Sequence, residues 1–588
     1  MLTNYLKVAF RNIVRGASYT IINVSGLTLG ITCALLFFSL VTFHLSFDNF
    51  HPEAERVYRC VTEEQRDEIG FNGSVPPAFG KAFREEYTFG EKVAKLFTHH
   101  ESLISFQQGG DLKKFKEAIV SFAEPEFFEI FHFPLTTGNA AMLSQPNQAI
   151  ITESIARKYF GDESPLDKVL RFENVIDFKI VGVLHDIPDN TDFRSEIYFS
   201  FVSLKDYSSW AAGDDSWGGI TSELQTFTRL HPGVDPAAVE TELTELVKKY
   251  RPKSTNIHRY KLQPLDEKHF DSRYGAVMDK TILLVLAAIG FFLVLTACLN
   301  FINLATAQAL TRSKEVGVRK TLGSARSQLF WQFAMETFLI VLISGFLAFV
   351  LAYSAVPFVN ELFSARIRFD LMSDFQLWLF IPLLLVVITF LSSAYPGMVL
   401  SRFKPVVALK GKPASQGPGN FNLRRSLITA QFAIAQVLLI GLIVIGYQMN
   451  YFSSTDMGYT REGIVIVPLG SRDAKMNTVK ERFAAVPHVE SVAACFAPPA
   501  SNSSWNTSLR FDNRTENEIF SVSLRAGDED YINTFDIPLI AGRNLQPSDT
   551  VREFLVNETF LSKLNLSPQE ILGKTMTTNR SWTGPVVG

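Results

Sequence analysis

The sequence predicts an α-helical transmembrane bundle carrying α/β (α+β) extracytoplasmic domains. Three observations predict it. Five apolar runs of bilayer-spanning length are set into a chain whose averages, 47% hydrophobic and 20% charged with a net charge of −3, are those of an ordinary soluble protein. Lys and Arg collect beside alternate ends of those runs. Between the runs lie two long polar stretches that alternate strand-like with helix-like segments, and 588 residues are too many for one domain.

Residues 1–18 open the chain with Lys7, Arg11 and Arg15 at four-residue spacing and Leu2, Leu6, Phe10 and Val14 on another helical face. This is a basic amphipathic helix suited to a membrane surface, here the inner one, which makes membrane lipid a partner. The run 19–44 is a first span. A cleaved signal peptide competes for the same stretch, but the apolar core is too long and no small-x-small cleavage site precedes residues 46–50. Residues 45–279 contain nothing able to cross a bilayer and read as one large α/β domain on the far side. Strands are expected at 116–122, 148–154 and 177–184, and helices at 76–87 and 235–250, the last with Asp235 as cap and Pro236 in the first turn.

The second span, 281–308, holds Asn300 and Asn303, which are costly in hydrocarbon unless they pair with a neighbouring helix; they read as helix-packing residues. Segment 309–332 is short and basic, with Arg312, Lys314, Arg319, Lys320 and Arg326 against the single acid Glu315. Glu315 four residues before Arg319 supports a helix, and Gly323-Ser324 offers its end. A third span (333–356) and a fourth (377–395, ending at Pro396-Gly397) follow. Residues 398–426 are again basic and acid-free, and 410–420 is rich in Pro, Gly and Ser, as a linker is. The fifth span is 427–449, and 450–588 is a second outer region. The three segments on the proposed inner side together hold 14 Lys and Arg against one acid, so the N-terminus is expected inside. Cys60 and Cys495 should then lie outside, and Cys33 and Cys298 within the membrane.

The two outer regions share a plan. Residues 131–138, FHFPLTTG, match 535–542, FDIPLIAG, at a displacement of 404. Ile151-Thr-Glu153-Ser then aligns with Val556-Asn-Glu558-Thr, and Val181-Gly182 with Val587-Gly588, which marks an internal repeat. On this reading the first unit runs on through three more spans, whereas the second copy stops opposite the middle of the 177–184 strand. The expectation is a C-terminally truncated chain, its natural form having roughly 800 residues and eight spans.

Catalytic and metal-binding patterns are not evident. Leu572-Gly573-Lys574-Thr575 has only the end of a P-loop, since Pro568 stands where the first glycine belongs. His99-His100 and the acids Glu63-Glu64 and Glu85-Glu86 lack supporting spacing and read as solvated surface. Ser25-Gly26 and Ser392-Ser393 read as helix-packing positions. No catalytic, cofactor or metal residue is assigned, no enzyme activity is expected, and no nucleic-acid partner is implied.

The strings KEVGVRKTLGSARSQLFWQFAMET with the preceding CLNFINLATAQALTRS, NYLKVAFRNIVRGASYTIINVSGLTLGI at the start, and AYPGMVLSRFKPVVALKGK near residue 400 resemble the bacterial ABC-transporter permeases of the MacB/FtsX type in their duplicated form. The resemblance covers essentially the whole chain. It implies outer domains of the MacB periplasmic core type, a multi-pass protein of the bacterial inner membrane, and a separate cytoplasmic ATPase subunit that binds the ATP. It further implies a dimer of permeases and a periplasmic adaptor. By the same resemblance Glu315, Val316, Gly317, Arg319, Lys320, Leu322, Gly323 and Arg326 form the element on which the ATPase rests. The implied function is movement of the periplasmic domains, driven by that ATPase, for export or extraction of a drug, peptide or lipoprotein. The alternative is an FtsX-like regulator that switches a periplasmic partner such as a cell-wall hydrolase; two large outer domains in one chain favour transport.

Overall fold

The computed structural model describes residues 2–252, 254, 256–311, 313–369, 375–402, 423–469, 475–501, 503, 505–578 and 582–588. The chain divides into two compact units, Met1–Phe47 with Met278–Ser454 and Asp48–Val277 with Thr455–Gly588.

The first unit is helical: α1 (Leu2–Arg15), α2 (Ala17–Leu45), α3 (Lys280–Thr311), α4 (Ser313–Thr321), α5 (Arg326–Phe363), α6 (Phe375–Arg402) and α7 (Leu423–Ser454). Among the described residues, α2, α3, α5, α6 and α7 are the five helices long and apolar enough to cross a membrane. They are hydrophobic all round, as helices between lipid and protein are. Four of them share a core that joins Leu27, Ile31 and Leu35 of α2, Phe301 and Ala305 of α3, Ile340, Val341 and Ala348 of α5, and Ile388 of α6. Close approach of α2 to α3 depends on Gly30, where a Cβ would stand 2.9 Å from Cβ of Ala297. Ser25-Gly26, expected to pack, does not: Ser25 is exposed and Gly26 faces open space, because the contact falls one turn later. Ser392 and Ser393 are buried.

Helix α5 has 38 residues, against about 20 needed to span hydrocarbon. It therefore extends well past the expected 333–356. Helix α6 also outruns its expected stop and continues through Pro396 to Arg402. Proline withholds one N–H, but neighbouring helices support such a turn in a membrane bundle. Here Gly397 lies so close to α5 that a Cβ would meet the Phe330 ring at 2.8 Å. Helix α7 likewise exceeds the expected 427–449. The linker at 410–420 lies outside the described residues.

The second unit is α/β. Eleven strands form one sheet: β1 (Val57–Gln65), β2 (Ile69–Asn72), β3 (Gly90–Gln108), β4 (Asp111–Ala123), β5 (Leu135–Gly138), β6 (Gln148–Thr152), β7 (Val169–Phe172), β8 (Ile176–Leu184), β9 (Ile197–Ser200), β10 (Leu224–Leu230) and β11 (Ile257–Pro264). The path is β11-β1-β10-β3-β4-β9-β6-β8-β5, with β2 on β1 and β7 between β3 and β8. Alternating burial along β8 sends Phe178 and Ile180 into a core with Phe122, Phe172 and Phe199. The helix expected at 76–87 spans only Phe79–Glu86. The one at 235–250 spans Pro236–Tyr250, with the Asp235 carboxylate accepting the Ala237 N–H at 3.1 Å. Cys60 is fully buried in β1 and Cys495 is exposed, so Cys495 is the thiol open to reagents in this unit.

Residues 505–585 add a four-stranded sheet, β12 (Trp505–Phe511), β13 (Ser521–Leu524), β14 (Thr575–Thr578) and β15 (Thr583–Pro585), in the order β13-β12-β14-β15. The two sequence repeats share local geometry. Gly138 (φ +88°) and Gly542 (φ +81°) each leave no room for a Cβ, which would stand 2.1 Å from the carbonyl of Val181 or of Val587. Thr152 caps its helix by accepting from Ile155 N, and Asn557 caps the matching helix by accepting from Phe560 N.

Candidate coupling site

Helix α4 is short and basic, and its two sides differ. Val316 packs against the bundle core and Gly317 is buried. On the same side Lys320 Nζ donates to the carbonyl of Ser401 in α6 at 2.6 Å, and Arg319 Nη1 donates to Gln332 Oε1 of α5 at 3.1 Å. Burial, with the Arg326 charge nearby, holds the Lys320 ammonium below its ordinary pKa. The opposite side presents Val318, 47% exposed, and Leu322, 81% exposed; at the start of α5, Arg326 is exposed and Trp331 is 64% exposed.

The helix ends where the sequence says it should. Gly323 has φ +95°, its N–H donates to Lys320 O at 3.1 Å, and Ser324 N–H donates to Arg319 O at 3.1 Å. That pair of bonds closes a helix with a left-handed residue, which glycine adopts without strain. Ala325 N–H then donates to Gln328 Oε1 at 3.0 Å, starting α5. The side chain of Glu315, expected to pair with Arg319, lies outside the described residues.

Asn300 and Asn303 of α3 both meet α7. Gln431 Nε2 donates to Asn300 Oδ1 at 2.6 Å, and Asn303 Nδ2 donates to Gln431 Oε1 at 3.2 Å. One amide thus serves two and gives Asn300 Oδ1 and Asn303 Nδ2 partners that lipid would not supply, while Asn303 Oδ1 is buried without one.

Two arrangements escape sequence reasoning. Glu336, 5% exposed in α5, accepts from Asn12 Nδ2 of α1 at 3.1 Å, tying the N-terminal helix to the bundle. Its signal in sequence is an acid inside an apolar run. In the α/β unit, buried Asp192 takes Lys268 Nζ and His269 Nδ1, each at 2.9 Å. Burial alone would raise its pKa, but the Lys268 charge and the His269 hydrogen bond outweigh it and hold the carboxyl far below the usual range. Asp48, next to this cluster, accepts from Thr191 and from Asp192 N–H at 3.3 Å. No spacing announces these partners.

Four of the other candidate residues have structural partners. His99, read as solvated, is instead in a network between Ser102 Oγ (2.7 Å) and Tyr207 OH (2.8 Å). Glu64 accepts from Asn256 at 2.7 Å, and Glu86 from Lys249 at 2.9 Å. Lys574, the lysine of the P-loop fragment, pairs with Asp512 at 2.8 Å.

A bundle of apolar helices with a sheet-based unit inserted in the chain between its first two spans is the architecture of a polytopic membrane protein. Comparison with known proteins agrees. Residues 20–246 match the MacB-like periplasmic core domain, and residues 287–405 match the FtsX-like permease C-terminal domain. The chain is an ABC permease of the MacB/FtsX type. The macrolide export ATP-binding/permease protein MacB of a Shewanella strain is 24% identical over 245 residues, 40% of this chain and 35% of that protein. The ABC transporter permease YknZ of Bacillus subtilis is 24% identical over 214 residues, 36% of this chain and 50% of that one. The match spans about a third of the length of the MacB relative. Among solved structures, the periplasmic region of MacB from Actinobacillus actinomycetemcomitans is 16% identical with a TM-score of 0.27, covering 36% of this chain and 90% of that one.

Proposed function

We propose that the chain is the membrane permease subunit of an ABC transporter of the bacterial inner membrane. A separate cytoplasmic ATPase docks on α4 and the start of α5, and its ATP cycle moves the periplasmic domains to export or extract a substrate of the drug, peptide or lipoprotein class. The N-terminus, α4 and the basic stretch after α6 are cytoplasmic; Asp48–Val277 and 455–588 are periplasmic, the latter a second core domain. Permeases of this kind work as dimers, and a periplasmic adaptor completes the export path.

The observation that carries this reading is the two-sidedness of α4. One side is held to two membrane helices by Arg319, Lys320 and Val316, so a force applied to α4 reaches α5 and α6 together. The other side holds Val318 and Leu322 in the open with Arg326 exposed just beyond them, and an exposed apolar pair beside a cation is what a protein partner covers. Asn300, Asn303 and Gln431 keep α7 registered on α3 while that force is transmitted.

The test is Leu322→Asp. Because Leu322 is exposed in the isolated chain, the variant should insert and melt as the parent does. In the complex it buries an unpaired charge, at about 3 to 5 kcal/mol, enough to abolish co-purification of the ATPase. Retained binding with full ATPase stimulation would reduce the segment to a topology anchor.

A further inference from the structure

Helix α1 has three faces, and the bundle uses one of them. Ala9 is 1% exposed, Ile13 packs against the membrane core, and Asn12 donates to buried Glu336 of α5. Gly16 N–H donates to Asn12 O, and Thr20 Oγ1 to Ile13 O, so the join to α2 is fixed as well. The rotation of α1 about its own axis is therefore set by the protein. At 100° per residue, Lys7, Arg11 and Arg15 then share a second face, and Phe10 and Val14 a third one adjoining it. All three cations are exposed, Phe10 is 67% exposed and Val14 61%. Helix α1 contains no acid, and among the described residues none of its three cations makes an ion pair. An apolar face bordered by a purely cationic one, presented by a helix packed on a membrane bundle, matches one environment: acyl chains beneath anionic headgroups.

We propose that α1 is a binding site for anionic phospholipid, with Lys7, Arg11 and Arg15 holding the headgroup phosphates and Phe10 and Val14 seated among the acyl chains. The Asn12–Glu336 bond makes this occupancy felt by α5, whose first turns lie next to α4. The proposal rests on the cytoplasmic placement of the N-terminus given above, and it does not need the ATPase to dock on α4.

The full chain, purified in mild detergent without any ATPase, is equilibrated with equal amounts of phosphatidylglycerol and phosphatidylcholine, and the lipids retained are counted by native mass spectrometry. The parent should retain phosphatidylglycerol in preference. Each cation near an anionic surface adds about 1 kcal/mol, so K7Q/R11Q/R15Q should lower that preference on the order of a hundredfold. K7R/R11K/R15K should keep it, since charge is what is read. In a second measurement that leaves the cations in place, Phe10→Trp should add fluorescence that brominated phosphatidylglycerol quenches more than brominated phosphatidylcholine. No headgroup preference in the parent, an unchanged preference in the neutralised variant, or equal quenching by the two lipids would overturn the proposal. The docking reading would remain open to its own test at Leu322.

Discussion

His258, on β11, is buried at 3% exposure, and its Nε2 accepts the Asn256 amide N–H at 3.1 Å, which leaves the ring neutral. Burial first, and then the charges of Arg251 and Arg66, pull its pKa down to about 3. An unfolded histidine titrates near 6.5, so between those values the unfolded chain binds the extra proton. The stabilising contribution is complete above about pH 6.5 and is lost as pH falls toward 3. Asp192 has the same sign: its depressed pKa contributes stability above about pH 4, lost in stronger acid. The stability of the α/β unit against thermal unfolding in the full chain should therefore fall between pH 6.5 and 4.5, by about 2 kcal/mol from His258 alone. His258→Gln should flatten that slope whatever it does to absolute stability. An unchanged slope would show that the ring is accessible and charged in the folded protein.

At the scale of elements, α7 is the informative case. None of its most apolar stretch is buried within the chain, so packing alone does not say where it belongs on the bundle. Gln431, bonded to both Asn300 and Asn303, supplies the register. Interhelical hydrogen bonds of this kind measure roughly 0.6 to 2 kcal/mol in membranes. A double-mutant cycle joining Gln431→Ala to Asn300→Ala with Asn303→Ala should show a coupling of about 1 kcal/mol in detergent unfolding. Strictly additive effects would mean that the three amides do not hold the helices together. The asparagines were visible in the sequence because polar side chains stand out in an apolar run; Gln431 did not, since it lies beyond a linker, 128 residues from Asn303. The end of α4 was legible for a local reason, Gly323-Ser324 after a basic turn. The extent of α6 was not, because Pro396 is an ordinary stop in water and a tolerated turn against α5.

Across the whole molecule, what could be read was whatever depends on local composition. The five apolar runs announce spans without any partner, and the alternation in 177–184 announces a strand; both lie within the helices and strands observed. The basic amphipathic start of the chain was also legible, but not which of its faces meets protein. Asn12 and Glu336 are 324 residues apart, and nothing in either segment names the other. The same holds for Asp192 with His269, brought together by a sheet whose strand order departs widely from chain order. The candidate coupling site falls between these cases. Its residues were visible as a string, while its division into a held side and a free side needed α5 and α6 in place.

That free side of α4 is the proposed seat of the cytoplasmic ATPase. The most direct measurement places a photo-crosslinking amino acid at position 322 of the full-length protein in intact cells and identifies the adduct by mass spectrometry. A crosslink to a P-loop ATPase is expected at position 322, and none when the probe is moved to Gly317, which is buried against the bundle. Adducts only to lipid, to this chain itself or to a periplasmic protein would contradict that placement of the ATPase.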